Sequence, residues 1–426
     1  MDIQRLLILL NEWWKTGKVS EYRLKKYKRT AFEEIKELLN YRQIIIISGL
    51  RRVGKSTIMF QLIDYLLNHK KIDPRKIIYF SFDDEKHEIL DIIEAYQTIT
   101  DVDWKKERIY VFLDEIQKLK GWGSKIKIIY DNFPNIKFVV SGSASIDLEK
   151  DAMHDLAGRF FIKEIYPLSL KEYFELKHDV KIKNYKLYKD DLKREFEEWL
   201  KKPFPEIVSF KEEILIYEYI KENIIAKILK IDITEVFDDI NVKLLETLIN
   251  IFYSEPGMIL NLDALSKNLR IHKKTLEKHI FFLEFAKLIR IVKNYRPSIL
   301  AESRKLRKVY PYHPSLIFPF NMNAEKGKII ECLIASKIDA KYYWRKGNKE
   351  VDFLIKNKEI LPIEVKSKTQ LKDEDFDNLN YFIKKFKNKT SRGIIVYVGE
   401  TEKKKIEDKI EKVNIIDFLL DENFEK

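Results

Sequence analysis

The eight residues Gly49 to Ser56, GLRRVGKS, follow the apolar run Gln43 to Ser48 and precede a helical pattern from Thr57 to Leu67. Strand, glycine loop and helix in that order leave few folds open, because the loop must bring backbone N–H groups to a helix N-terminus. Gly49 and Gly54 let the chain turn those N–H groups toward phosphate oxygens, and Arg51 and Arg52 lie inside the loop. Lys55 is then expected to reach β and γ oxygens, with the Ser56 hydroxyl offered to Mg²⁺ and Thr57 beginning the helix. The expected ligand is ATP with Mg²⁺.

Apolar strand-like runs recur at Ile44 to Ile47, Ile77 to Phe82, Ile109 to Leu113 and Phe138 to Val140, each followed by polar or helical sequence. A parallel sheet covered on both faces requires that pattern, so residues 41–165 read as one α/β domain. The third run ends at Asp114 and Glu115, where such a sheet presents its C-terminal edge to ligand. Asp114 is expected to hold the Mg²⁺ shell, and Glu115 to orient or deprotonate the attacking water. The fourth run ends in Ser141 and Ser143, read either as contacts to the γ-phosphate or its water, or as a simple turn. Arg159 is the best downstream candidate to stabilise charge on transferring oxygens, in its own site or a neighbouring subunit, with a plain salt bridge as the alternative.

A chain of 426 residues exceeds one hydrophobic core and implies several domains. Residues 1–40 read as a helical leader with a basic cluster (Arg23, Lys25, Lys26, Lys28, Arg29), expected to pack beside the ATP site. Residues 166–240 read as a helical lid or connector broken at Lys202-Pro203-Phe204-Pro205. No apolar run reaches the roughly 18–20 residues of a membrane span, and Met1 to Leu10 carries Asp2 and Arg5 without a cleavage signal, so a cytoplasmic protein is expected. The one cysteine, Cys332, excludes internal disulfides and a cysteine-built metal site. With 80 Lys+Arg against 68 Asp+Glu, the net charge of +12 suits a polyanionic partner such as DNA, or equally a heat-adapted surface of both signs.

Residues 241–305 run helix, interruption at Ser254-Glu255-Pro256-Gly257, two short helices and a strand, the order of a winged helix-turn-helix. The stretch Lys273 to Glu284 would then be its recognition helix, offering Lys273, Lys274, Thr275, Lys278 and His279 to phosphates or base edges. A protein-packing module is the other reading. Residues 306–426 run helix, three short strands, helix, strand. Glu364 and Lys366 share a strand face, Asp352 comes from the strand before, and Glu331 from the leading helix. Two carboxylates and a lysine gathered on a sheet suit metal-assisted phosphodiester hydrolysis, with Asp352 and Glu364 on Mg²⁺ and Lys366 assisting the water or the transition state.

SGLRRVGKST, FLDEIQKLKGW, VVSGSAS, LAGRF, YPLSLKEY and PFPEIV, in order, resemble the prokaryotic AAA-type ATPases related to the signal-transduction ATPases. The resemblance implies an ATP-hydrolysing switch or motor, often followed by a restriction-endonuclease-like domain. Asp352 with Glu364-Val365-Lys366 resembles the PD-(D/E)xK nuclease motif, and Glu331 matches its helical acid. The expected fold is thus α/β multidomain: a P-loop parallel-sheet core, helical lid, winged helix-turn-helix and nuclease-like C-terminal domain. The expected function is an Mg²⁺-dependent ATPase, DNA-associated, whose nucleotide state controls the C-terminal half. The C-terminal domain reads as an active Mg²⁺ nuclease, a nucleic-acid-binding relic or a partner-binding module. The alternative function is a nucleotide-controlled protein-interaction switch with a catalytically silent nuclease-like domain and no nucleic-acid contact, and a homo-oligomer or partner protein fits either.

Overall fold

Four consecutive isoleucines make β1 (Ile44–Gly49), buried along its whole length, as a strand covered on both faces must be. The computed structural model describes residues 2–83, 87–142, 155–296, 306–401 and 409–421. β1 lies in a five-stranded sheet with β2 (Ile77–Ser81), β3 (Ile109–Asp114), β4 (Ile136–Gly142) and β5 (Phe160–Ile165) in the order β2-β3-β4-β1-β5. All four pairings are parallel. β5 is an edge strand absent from the sequence reading, and its half-buried residues explain why no apolar run announced it.

One face of this sheet packs Ile44, Ile46, Ile78, Phe80, Val111, Leu113, Phe138 and Val140 with the helices Ile89–Thr100 and Trp122–Asn132. The leader divides. Its first helix, Ile3–Leu10, sinks Leu6 and Leu7 into that core, and the indoles of Trp13 and Trp14 donate to Ile77 O at 3.1 and 2.8 Å. It therefore lines the β2 edge and not the ATP site. Arg29, farther along, does reach the phosphate loop, donating to Val53 O at 2.8 Å and to Tyr166 O at 2.9 Å.

The chain divides into two units, one of Met1–Leu168, Phe204–Glu206 and Lys230–Ile240, the other of Ser169–Pro203, Ile207–Leu229 and Asn241–Lys426. The second is built on one eight-stranded sheet in the order β13-β12-β11-β10-β9-β7-β8-β6. Its strands are β6 (Met258–Leu260), β7 (Ile289–Asn294), β8 (Arg307–Pro311), β9 (Tyr342–Lys346), β10 (Lys349–Lys356), β11 (Ile360–Lys366), β12 (Gly393–Tyr397) and β13 (Ile410–Asn414). β8 lies antiparallel between β6 and β7, so a boundary at residue 305 would cut a hydrogen-bonded sheet. Parallel pairing of β7 with β9 carries the sheet onward. Trp344 is buried there in one core with Leu379 and Phe382.

Candidate functional site

The phosphate loop follows β1 at the C-terminal edge of the parallel sheet. Gly49 has φ +147°, and a Cβ there would stand 2.2 Å from Ile165 O, so only glycine fits. Gly54 has φ +97° and caps the helix Lys55–Asn68, whose first residues are Lys55, Ser56 and Thr57. Lys55 is 5% exposed, with its Nζ donating to Gly49 O at 3.1 Å and Leu50 O at 3.0 Å. The ammonium thus sits on carbonyls of its own loop, uncompensated by a carboxylate hydrogen bond among those two contacts.

β4 lies between β1 and β3, which brings Ser141 between the loop and the acid pair. The Ser141 hydroxyl donates to Asp114 Oδ1, and the Tyr79 hydroxyl donates to Asp114 Oδ2 at 2.9 Å. The Ser56 hydroxyl lies close enough to this carboxylate to favour its charged form. Burial, with the Glu115 charge beside it, pushes the Asp114 carboxyl up despite those hydroxyls. A buried carboxylate ringed by hydroxyls, one from the loop serine, is a hard-oxygen donor set that fits Mg²⁺. Glu115 has φ +51°, a left-handed conformation costing a non-glycine residue about 1–2 kcal/mol, and Gln117 Nε2 donates to its Oε2 at 2.5 Å. Ser143 lies outside the described residues.

Arg159 is not brought to this edge. β5 begins beside Ile44 and ends beside Gly49, so Arg159 stands at the opposite end of a six-residue strand, at about 3.3 Å per residue. Its guanidinium is exposed and paired with Asp131 at 2.8 Å. Of the expected roles, the salt bridge is the one this position supports within a single chain.

The residue that sequence reasoning missed is Asp232. It is 4% exposed, and both its oxygens accept from Arg51, Oδ2 from Nε at 2.6 Å and Oδ1 from Nη2. Burial outweighs Arg51 and pushes the Asp232 carboxyl up, and it lies within electrostatic reach of Glu115 and Lys55. Arg52 pairs with Glu206 at 2.9 Å on the surface. Nothing local marks Asp232 as a site residue, since it lies in a run of Ile, Lys, Asp and Thr that reads simply as helix.

In the second unit, Asp352 Oδ2 accepts from Val365 N at 2.8 Å, and Lys366 Nζ donates to Glu364 Oε1 at 2.7 Å. Lys308, from β8, places its buried ammonium 2.6 Å from Glu350 and 3.3 Å from Glu331, and Tyr310 donates to the same Glu331 oxygen. Burial opposes ionisation of Glu331, yet Lys308 and Lys328 hold it below its ordinary range. Burial likewise opposes the Lys308 charge, and Glu331, Asp352 and Glu350 outweigh it. Among the described residues no group of three or more His, Cys, Asp or Glu side chains is gathered to hold a metal ion. Lys308, Lys328 and Lys366 offset the charges of Glu331, Glu350 and Glu364 in part, while burial and the Glu364 and Glu331 charges push the Asp352 carboxyl well up and Glu364 Oε2 is buried without a hydrogen-bond partner, so the oxygens of Asp352 and Glu364 fit a divalent cation. Lys308 escaped the sequence reading because it precedes the motif by a strand and a helix.

The helix Lys273–Phe285 exposes Lys274, Thr275 and Lys278. His279 is 1% exposed, hydrogen-bonded to Asn241 N at 2.9 Å and Thr275 O at 2.8 Å, so it cannot reach a base edge as expected. Lys273 is exposed and paired with Asp263 at 2.8 Å. His313 is packed in its turn against Ser315 and Trp199.

Residues 41–174 match the family model described as AAA domain. With its parallel sheet and phosphate loop, this part of the chain has the fold of a P-loop core of AAA type. Residues 195–322 and 326–418 match two models each described as a domain of unknown function, DUF8612 and DUF4143. Uncharacterized protein MJ1544 of Methanocaldococcus jannaschii is 28% identical over 404 residues, covering 90% of this chain and 89% of its own. Uncharacterized protein MJ1637 of the same organism is 27% identical over 326 residues, covering 71% of this chain, which spans 66% of that relative. The Aeropyrum pernix ORC1 protein, solved in complex with DNA, superposes with TM-score 0.36 at 11% identity over 73% of this chain and 96% of its own. So loose a superposition carries no argument. Among the described residues no helix is long and apolar enough to cross a membrane.

Proposed function

We propose that the chain hydrolyses ATP with Mg²⁺ at the edge of the five-stranded sheet, and that its nucleotide state controls a DNA-binding C-terminal half. The observation that carries the first part is the meeting of Ser56, Ser141 and Tyr79 on the buried Asp114 carboxylate. Ser56 and Asp114 hold the cation, which supplies charge neutralisation for the phosphates when bound. The loop N–H groups of Gly49 to Gly54 cradle the phosphates, and Lys55 leaves its carbonyls to reach the β and γ oxygens. Glu115, fixed by its left-handed turn and by Gln117, orients the attacking water and takes its proton. Ser141 holds the Asp114 carboxylate in register with both.

For the C-terminal half, exposed Lys274 and Lys278 on one helix and a +12 chain support phosphate contact. The protein-interaction alternative is favoured by one observation, that His279 is turned inward and Lys273 is paired with an acid.

Titration of labelled duplex and single-stranded DNA at rising salt separates these readings. Affinity falling steeply and linearly on a log–log plot supports DNA, and absence of binding at low salt supports the protein partner. ATP turnover by the wild type that is lost in Lys55→Ala supports the first part.

A further inference from the structure

The segment Lys230–Ile240 is held at both working corners of the nucleotide site. Asp232 closes the π-helical stretch Ile228–Asp232 and takes Nε and Nη2 of Arg51, inside the phosphate loop. Three residues on, Glu235 lies 3.6 Å from Lys118 Nζ, in the turn that follows Glu115. Ile233, between them, is 1% exposed. Lys118 also holds Asp83 at 2.6 Å.

An arginine within a phosphate loop has its natural partner in a phosphate oxygen, and here a buried carboxylate occupies two of its donors in the fork geometry a phosphate would use. Asp232 also lies within electrostatic reach of Lys55, the other cation that phosphates would seek. An entering triphosphate brings several negative charges to a place where a carboxylate already stands, in surroundings that screen poorly. The same Nε and Nη2 donors cannot serve both anions, and a second carboxylate beside the phosphates repels them. π-Helical turns are uncommon and recur at functional positions, and the one ending at Asp232 holds the carboxylate in this register.

We infer that Asp232 is an internal anion that occupies the phosphate partner of Arg51, so that nucleotide entry displaces it and releases the segment Lys230–Ile240. This rests on the reading that the site binds ATP. Binding and release are therefore thermodynamically coupled, and whatever weakens the Arg51–Asp232 pair must strengthen nucleotide binding by the same factor. Couplings of this kind span roughly 5- to 150-fold.

The test is calorimetric titration of Mg²⁺-ATP into full-length wild type, Lys55→Ala and Asp232→Asn, with amide hydrogen exchange followed across residues 230–240. Wild type should bind, Lys55→Ala should not, and Asp232→Asn should bind about tenfold more tightly. Exchange in the segment should rise on adding Mg²⁺-ATP to wild type and be fast in Asp232→Asn without it. Glu235→Gln, a partly exposed site, provides the same reading by a smaller gain in affinity if Asp232→Asn fails to fold. Equal or weaker binding by Asp232→Asn, with wild type binding normally, overturns the displacement and leaves the ATP site standing. No binding by wild type overturns both.

Discussion

Two clusters of acids and lysines lie in this chain, and they differ in what neutralises them. In the second unit, Glu331, Glu350 and Glu364 each have an ammonium group of the same unit against them. In the first, Asp114 is surrounded by hydroxyls of Tyr79 and Ser141, and Lys55 rests on backbone carbonyls. Those three acids are paired within the fold, although Glu364 keeps one buried oxygen without a hydrogen-bond partner and Asp352 is pushed up by the Glu364 and Glu331 charges beside it. The charges of the other cluster are only solvated by dipoles, which leaves both signs available to a ligand carrying the opposite sign. Motif spacing is equally good in the two places, so spacing alone does not show which charges the fold pairs internally.

The comparison breaks most visibly in the nucleotide site. Glu115→Gln should keep Mg²⁺-ATP binding and lower steady-state turnover by about 10²- to 10⁴-fold, as loss of a positioned base does. Turnover at the wild-type rate would remove Glu115 from its role. Next comes Lys308→Met, which strips a buried cation from Glu331 and Glu350 and should cost about 3–5 kcal/mol in urea unfolding of the full chain. Lys55→Ala, by contrast, should leave that transition in place, and similar losses from both variants would erase the distinction between the clusters.

A smaller effect sharpens it through pH. Burial and Glu115 raise the Asp114 carboxyl, so the folded chain favours its protonated form. That preference contributes stability at acid pH, and it is lost as pH rises from the ordinary carboxylate range through the raised value. Asp114→Asn, without a charge to bury, should therefore melt above wild type near about pH 8, by about 2–4 °C for each kcal/mol regained, and the gap should close toward about pH 4. A gap that widens in acid would contradict the sign. The smallest effect is expected at Arg159, where removal of an exposed pair with Asp131 by Arg159→Ala should cost about 0.2–1 kcal/mol and leave single-chain ATP turnover within about twofold. A large loss of turnover would bring Arg159 into a catalytic role through a neighbouring subunit.

Much of this architecture is legible in local pattern. The isoleucine run, the glycine loop and the helix after it specify β1 and the phosphate-binding corner without long-range information, because each is set by the conformational range of neighbouring residues. The apolar runs ending at Asp114 and Ser141 likewise identify the ligand edge of a parallel sheet. In the C-terminal part, alternation and turn residues mark β9, β10 and β11 closely. β5 was not legible, since an edge strand of half-buried residues lacks the apolar run that announces an interior one.

What only the tertiary structure decided concerns which elements meet. The insertion of β4 between β1 and β3 brings the Ser141 hydroxyl onto Asp114, and the parallel register of β5 sends Arg159 to the far end of the sheet. Burial of His279 follows from the packing of its helix on Asn241, which exposure-blind periodicity cannot report. Arg51 and Asp232 meet across 181 residues of sequence, and Lys308 reaches Glu331 across 23. Sequence determined the phosphate loop and the acids beside it because backbone conformation and strand period are local. Strand order and the returns of the chain decided which charges are met within the fold and which are left for a ligand, because pairing energy depends on distance in space and on burial, neither of which sequence spacing contains.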